Sequence, residues 1–204
     1  MTQQDSKDHE LWLTGDAASD RLLSTDANAL LLGMTLDQQV PMEKAFSGPA
    51  VIAQRMGGSL DVAKIAAMDT EEFVALCSER PAIHRFPGSM GKRVQQVCRA
   101  LVDDYDGDAE NIWAGVSDGA TVLKRLKALP GFGEQKGKIF LALLGKQWGI
   151  TPSGWQRAAG DYGKDGFRSV ADVTDNGSLQ KVRETKKQVK AAAKKAAADK
   201  AAKA

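Results

Sequence analysis

The chain is poor in the residue types that build metal sites and disulfides. It has two cysteines, Cys77 and Cys98, and two histidines, His9 and His84, in 204 residues. These residues do not form a cluster with metal-ligand spacing, so neither a zinc site nor a histidine-based catalytic triad is expected. Because a disulfide is unusual in a reducing compartment, both cysteines are expected to be buried free thiols.

Long hydrophobic runs are also missing. No run approaches 18 apolar residues, so no transmembrane helix is expected. The start, MTQQDSKDHELWL, is polar and acidic and lacks the basic end and apolar centre of a signal peptide. A cytoplasmic, nucleoid-associated protein is therefore expected. Aromatic residues make up only 6% of the chain, but a hydrophobic content of 43% supports a packed core in one domain or two small lobes.

Positive charge is concentrated at the C-terminus. Residues 180–204 contain nine Lys or Arg and two acids, a net +7, whereas the other 179 residues carry 19 basic and 24 acidic groups, a net −5. A basic tail on a mildly acidic body favours a polyanionic partner, although a solvated, solubilising tail has the same composition. The Lys/Ala-rich segment 179–204 has no apolar face and is expected to be disordered or a fraying helix.

Apolar periodicity predicts a mostly helical chain. The predicted helices cover 26–39, 44–56, 61–67, 70–78, 89–105, 119–128 and 135–147. Pro49 is a candidate start for the second of these, Thr25 a candidate N-cap of the first, and Asp69 an N-cap of the fourth. Residues 149–163 are expected to form a loop and a short helix, and 167–173 could form another. Residues 11–15 are a weak strand candidate, so the fold class predicted is all-α.

The strongest amphipathic pattern lies in residues 89–105. One apolar stripe on this segment contains Val94, Val97, Cys98, Leu101 and Val102. We expect this face to pack against the core.

A short Pro- and Gly-containing turn, LPGFG, separates the helical patterns 119–128 and 135–147. Pro130 ends the first helix, because its ring cannot continue the hydrogen-bond ladder. Gly131 and Gly133 allow positive φ or a close backbone approach. The pattern has two interpretations: a tight turn between two packed helices, or a hairpin whose amides and second-helix N-terminus face an anion.

Three segments, in this order, resemble one family. LPGFGEQKGKIF is similar to the helix-hairpin-helix of the HhH-GPD DNA glycosylase superfamily, which includes endonuclease III. LLLGMTLDQQVPMEKAF (30–46) resembles its early helix ending in glutamine, and HRFPGSMGKRVQQVCRALVDDY (84–105) its Gly-containing loop and basic helix. The resemblance spans about residues 28–163. The whole chain looks like a member of a small, actinobacterial-type branch of this superfamily.

The resemblance implies two helical lobes with a DNA-binding cleft between them. The residues it places on DNA are Gly131, Phe132, Gly133, Gln135, Lys136, Lys138, Gln38, Gln39, Lys92 and Arg93. Hairpin amides would hold a phosphate, and Gln38 or Gln39 would fill the gap left by a flipped base. Lys92 and Arg93 would contact backbone phosphates or be solvated.

The family's catalytic residues are not matched. Its bifunctional members have a catalytic lysine where this chain has Gln135. The adjacent Lys136 lies about 100° further round the helix, so lyase activity is not expected. The family's essential aspartate aligns with Pro152, or with Ser153 after a shift of one. Asp161 is the candidate replacement, with a surface or capping carboxylate as the alternative.

Two tryptophans and the cysteines complete the expectations for the site. Trp148 and Trp155 would line a base pocket or belong to the core. The iron–sulfur loop of some relatives needs four cysteines near the C-terminus, so no cluster and no other cofactor is expected.

The domain organisation expected is an N-terminal segment, 1–25, packing on the C-terminal part, a glycosylase-like domain, 26–178, with the hairpin at 121–147, and the basic tail, 179–204. The function expected is that of a monomeric base-excision-repair protein that binds damaged or abasic duplex DNA. Whether it also hydrolyses an N-glycosidic bond, as a monofunctional glycosylase, stays open. The alternative is a non-catalytic lesion- or DNA-binding module.

Overall fold

The computed structural model describes residues 10–201, and this part of the chain is built from α-helices. They are α1 (Ala17–Thr25), α2 (Ala27–Leu36), α3 (Met42–Arg55), α4 (Val62–Ala67), α5 (Thr70–Ser78), α6 (Pro87–Tyr105), α7 (Gly119–Ala128), α8 (Glu134–Gln147), α9 (Trp155–Ala159) and α10 (Asn176–Ala201). Within residues 10–201 the structure has no named strand; one isolated parallel bridge joins Asp118 and Ser153. The all-α prediction is confirmed.

The helices pack in two groups. Helices α1 to α6 contact one another, with α2 against α3 and α4 and α5 against α6, whereas α7, α8 and α9 form a second group that the 3₁₀ turn Val170–Asp172 links to α10. The 3₁₀ turn Ala109–Ile112 contacts α2, α6 and α7 and so joins the groups. Buried side chains of both groups form one continuous hydrophobic core.

Aspartates begin many of the helices. The side chains of Asp16, Asp26, Asp61, Asp69 and Asp118 accept hydrogen bonds from amides in the first turns of α1, α2, α4, α5 and α7. Each satisfies donors that the helix itself leaves unpaired. Asp69 was predicted in this role, whereas the N-cap of α2 is Asp26 rather than Thr25.

Helix α3 contains Pro49 in its interior, so the prediction that it starts there was wrong. It begins at Met42, directly after Pro41. Ala45 and Phe46 are fully buried, and a Cβ on Gly48 would lie 2.3 Å from Leu36 Cδ1. Packing against α2 therefore holds the turns that precede the proline.

The apolar stripe of α6 is buried except at its last member. Val94, Val97, Cys98 and Leu101 are fully buried, but Val102 is 39% exposed and does not belong to the core. Cys77 of α5 and Cys98 are buried free thiols, as expected. Burial raises the pKa of each thiol to about 12.

The N-terminal segment is anchored by one buried carboxylate. Residues 11–15 are not a strand, because the Asp20 carboxylate accepts hydrogen bonds from the amides of Leu13, Thr14 and Gly15 at 2.8–3.1 Å. Helix α1 packs on α2 and α3. Thr174, from the C-terminal part, lines a cavity of about 650 Å³ together with α1 and the residues before it. Residues 1–9 of the predicted 1–25 segment lie outside the described residues.

The basic C-terminal segment starts inside a helix. Helix α10 begins at Asn176, before the predicted boundary at 179, and Leu179 and Val182 are buried. The expectation of a segment without an apolar face was therefore wrong for these first turns. Among the described helices, none combines the length and apolar character that crossing a membrane requires. Residues 202–204 of the predicted tail lie outside the described residues.

Candidate nucleic-acid interface

The predicted hairpin joins α7 to α8 through a turn of five residues, 129–133. The Phe132 amide donates to the Leu129 carbonyl at 3.1 Å, and Gly131 has φ +80°. A residue with a Cβ is disfavoured at this φ, which explains the glycine. Gly133 is the N-cap of α8 and provides no side chain to cap it.

Three amides at the start of α8 have no hydrogen-bond partner in the described part of the chain. The first hydrogen bond of the helix runs from the Gly137 amide to the Gly133 carbonyl at 3.0 Å. Within residues 10–201, the amides of Glu134, Gln135 and Lys136 have no acceptor. The space beside them is open, since a Cβ added to Gly133 would meet nothing within 4 Å. Unpaired amides together with the positive end of the helix dipole form an anion-binding geometry.

Arg93 of α6 lies against the hairpin turn. A Cβ on Gly131 would lie 2.6 Å from Arg93 Nη1, so the arginine side chain occupies the place next to this glycine. Arg93 is half-buried and makes no ion pair with the residues that the structure describes. Among the described residues the Arg93 charge beside the hairpin turn is therefore uncompensated. Its contact with a DNA phosphate stays a prediction.

Lys136 reaches from the hairpin to the other group of helices. Its Nζ donates to the Thr35 carbonyl in the last turn of α2 at 2.9 Å and lies 5.6 Å from the centre of the Phe132 ring. The pKa of Lys136 is lowered, mainly by burial and partly by the Arg93 charge, while Asp37 opposes the shift. The sequence predicts that Lys136 points away from the position of the family's lysine. In the structure its side chain extends to the end of α2.

Asp37 follows α2 directly and lies in the same junction. Burial raises the pKa of its carboxyl group, while the positive charges of Lys186 and Lys136 act in the opposite direction. Its carboxylate makes no hydrogen bond and no ion pair shorter than 4 Å with the part of the chain that the structure describes. Carboxylates with raised pKa values are enriched at functional sites. Sequence reasoning missed Asp37, because nothing in the pattern LDQQ separates it from an ordinary helix-end aspartate.

The turn after α2 presents two glutamines to solvent. Gln38 and Gln39 are exposed, and Gln39 has φ +58°, which is uncommon for a residue with a Cβ. Buried His84 fixes the turn: the Phe86 amide donates to His84 Nδ1, so Nε2 carries the proton and donates to the Gln38 carbonyl at 2.9 Å. His84 therefore holds the backbone of this turn while both glutamine side chains stay exposed.

Other predicted DNA contacts are occupied within the protein. Lys92 pairs with Glu71 of α5 at 3.0 Å. Lys138 pairs with Glu134 at 2.9 Å, and Glu134 also contacts Lys127 of α7. These lysines have charge partners that a phosphate would have to displace.

Gln135 and Phe132 face in different directions. Gln135 is exposed, and its Nε2 donates to the Tyr162 hydroxyl at 2.9 Å. Phe132 is only 4% exposed and packs edge to face on Phe140, so its backbone can approach DNA but its side chain cannot.

Neither tryptophan lies at the hairpin. Trp148 is buried and packs on Trp113 in the core, which does not suit stacking on an extruded base. The Trp155 ring covers Gly145, whose Cβ would lie 2.5 Å from it. Gly145 is 11 residues after the start of α8, or roughly 16 Å along the helix, so a shared pocket with the hairpin is not formed.

Asp161 is a surface residue. Its side chain is 72% exposed and pairs with Lys164 at 2.6 Å. The hydrogen bond from Lys164 and its charge lower the pKa of Asp161. This environment corresponds to the alternative expected for Asp161, a surface carboxylate, better than to a catalytic group. Among the described residues, no group of three or more His, Cys, Asp or Glu is arranged to hold a metal ion.

Comparison with known protein families identifies the same superfamily that the hairpin motif resembles. The model of the HhH-GPD superfamily of base excision DNA repair proteins matches residues 32–203. No curated protein and no solved structure matches the chain significantly. The match covers most of the chain, including the hairpin, the α2–α3 turn and α6. The chain belongs to the HhH-GPD superfamily of base excision DNA repair proteins.

Proposed function

We propose that the protein binds damaged or abasic duplex DNA, with one phosphate of a strand on the N-terminus of α8. The observation that carries this proposal is the set of three unpaired amides of Glu134, Gln135 and Lys136 beside an open Gly133. A phosphate oxygen accepts such hydrogen bonds without reading the base sequence. Arg93, which has no counter-ion among residues 10–201, adds a positive charge next to the same turn.

The α2–α3 turn supplies the part that recognises damage. Lys136 ties the hairpin to the last turn of α2, so the phosphate site and the exposed Gln39 belong to one junction. A side chain held there fills the space that an extrahelical or missing base leaves, at the cost of unstacking the duplex. This cost is lowest at a damaged or abasic position, which gives the preference for such DNA.

Binding to a duplex with one abasic-site analogue, compared with the same intact duplex near physiological salt, tests the proposal. We expect at least tenfold tighter binding to the abasic duplex. Equal affinity for both would contradict recognition of damage and leave only backbone binding.

A variant pair assigns the preference to the turn. Gln39→Gly removes the side chain and accepts the positive φ, so the preference should fall while intact-duplex affinity stays. Gln96→Ala, at an exposed position of α6, is the control and should retain the preference. An unchanged preference in Gln39→Gly would reject the role of this residue.

Hydrolysis of an N-glycosidic bond is the second candidate function, and the position of Asp37 favours it. In this reaction the bond between the sugar C1′ and the base nitrogen breaks, water supplies the hydroxyl group on C1′, and the remaining proton goes to the base. A carboxylate near the sugar stabilises the positive charge that develops there or accepts the proton of the water. Asp37 is half-buried, lies directly before the Gln38–Gln39 turn and has a raised pKa.

Base release from duplexes that each carry one deaminated, oxidised or alkylated base tests this second function. Asp37→Asn should reduce the rate of base release at least 100-fold. Asp161→Asn, a matched change at an exposed carboxylate, should leave this rate unchanged. The opposite pattern would reject Asp37 in favour of Asp161. If the wild-type chain binds these duplexes and releases no base, the non-catalytic alternative stands.

A further inference from the structure

Helix α10 docks through one face only. Leu179 and Val182 are buried, and Arg183 Nη2 pairs with Glu43 Oε1 of α3 at 2.7 Å. Lys186 lies close enough to Asp37 for its charge to oppose the rise in the Asp37 pKa that burial causes. At about 100° per residue, these four side chains fall within roughly 100° of the helix circumference. The docked face therefore runs from the core, past the start of α3, to the end of α2.

The same face continues beyond the body as a cationic stripe. Lys190 and Lys194 follow Lys186 at intervals of four residues, which turns the helix by about 40° at each step. From Lys186 to Lys195 all side chains are exposed. Lys195 lies about 140° away from Lys190 and so faces another direction.

The exposed part of α10 starts next to the candidate nucleic-acid interface, and this position determines which ligand the stripe can contact. Lys186, the most C-terminal described side chain of α10 with an electrostatic partner, faces Asp37, which lies directly before the exposed Gln38–Gln39 turn. Lys136, at the start of α8, donates a hydrogen bond to the carbonyl of Thr35, which lies two residues before Asp37. The hairpin, the turn and the projecting part of α10 thus start from the same end of α2.

We infer that the stripe Lys186–Lys190–Lys194 is a second phosphate-binding surface, which contacts the DNA backbone beyond the segment held by the hairpin. This inference rests on the proposed function, because it needs a duplex seated at the hairpin. The helix adds about 6 Å of reach per four residues, so Lys194 lies about 12 Å past Lys186 along the axis. The contact is to backbone charge and carries no base sequence information.

The salt dependence of binding to an intact duplex tests the orientation of the stripe. Each phosphate neutralised by a lysine contributes about one unit to the slope of log K against log salt. We expect Lys190→Gln to reduce the slope by close to one unit and affinity several-fold. Lys195→Gln removes one positive charge from another side of α10, with the same change in helix propensity as Lys190→Gln. It should reduce the slope by less than half as much as Lys190→Gln does.

Insertions provide a second measurement that keeps every charge. Two alanines inserted between Lys187 and Gln188 rotate the downstream stripe by about 200°, whereas four rotate it by about 40° and lengthen it by about 6 Å. Weaker binding in the first insertion and near wild-type binding in the second support the inference.

Each contrary result has a distinct meaning. Equal slopes in the Lys190 and Lys195 variants, or equal binding by the two insertions, would overturn the oriented stripe while leaving hairpin binding in place. Failure of the wild-type chain to bind a duplex at low salt would overturn the proposed function and the inference with it.

Discussion

Helix α8 has opposite environments at its two ends. At its C-terminal end Gln147 Nε2 donates to the carbonyls of Ala171 and Val173 at 2.9 and 3.2 Å, and Lys146 pairs with buried Asp172 at 2.5 Å. At its N-terminal end three amides have no acceptor within residues 10–201, and Gly133 faces open space.

The two ends differ in where their polar groups find partners. The closed end satisfies its polar groups inside the protein and excludes a ligand. The open end leaves donors that only water or an anion can satisfy, as binding sites must. Substitutions at the closed end should therefore change folding, and substitutions at the open end should change DNA binding.

The largest effect is expected at the buried ion pair. Asp172→Ala would leave Lys146, only 17% exposed, without its charge partner, with only the Lys164 carbonyl still accepting from it. It would also remove the acceptor for the amides of Arg168 and Ser169. Loss of one member of a buried pair typically costs about 3–5 kcal/mol. Chemical denaturation measures the change. Asp161→Ala, at an exposed ion pair, is the control and should unfold like the wild type.

Gly145→Ala should have the next largest effect. Its Cβ would lie 2.5 Å from the Trp155 ring, so α9 would have to move away from α8. Overpacking of this kind costs about 1–3 kcal/mol, and Tm measured by calorimetry should fall accordingly. A Tm equal to that of the wild type would mean that Trp155 is not held against α8.

Gly133→Ala makes the matched change at the open end. No atom lies within 4 Å of the added Cβ, and φ is −83°, so stability should change little. The methyl group would stand in the space proposed for phosphate, and duplex affinity should fall about tenfold, or about 1.4 kcal/mol. If affinity is unchanged while the fold is intact, phosphate does not bind at this end.

The smallest effect is expected from the pH dependence of Asp37→Asn. Burial raises the pKa of Asp37 above its ordinary value of 3.8, so the native state binds this proton more tightly than the unfolded chain does. The stability associated with this group is present below pH 3.8 and is lost as pH rises through the folded pKa. Asparagine does not ionise, so the variant should gain stability relative to the wild type between acidic and neutral pH. A stability difference independent of pH would show that Asp37 has an unshifted pKa.

Most of the fold was predictable because local signals determine it. Pro130 and the two hairpin glycines separate α7 from α8, and Asp69 starts α5, as the sequence indicated. Helix α1 was not predicted; its segment is short, and Asp20 binds the preceding loop through contacts that no periodic pattern shows.

The candidate site was predictable only where the hairpin motif specifies it. The unpaired amides at the start of α8 follow from LPGFG, but the environment of Asp37 comes from burial and from Lys186 and Lys136, which are distant in sequence. The contact between Lys136 and Thr35 spans 101 residues. Such contacts depend on how helices pack, which local patterns do not encode.

The unpaired amides of Glu134, Gln135 and Lys136 also give the protein its own reporter. An amide without an acceptor exchanges its hydrogen with solvent deuterium quickly, whereas the following turns of α8 are protected by hydrogen bonds. A bound phosphate would slow exchange at these three positions alone. Occupancy of the hairpin can thus be followed residue by residue in the unmodified protein, without a label and without a substitution.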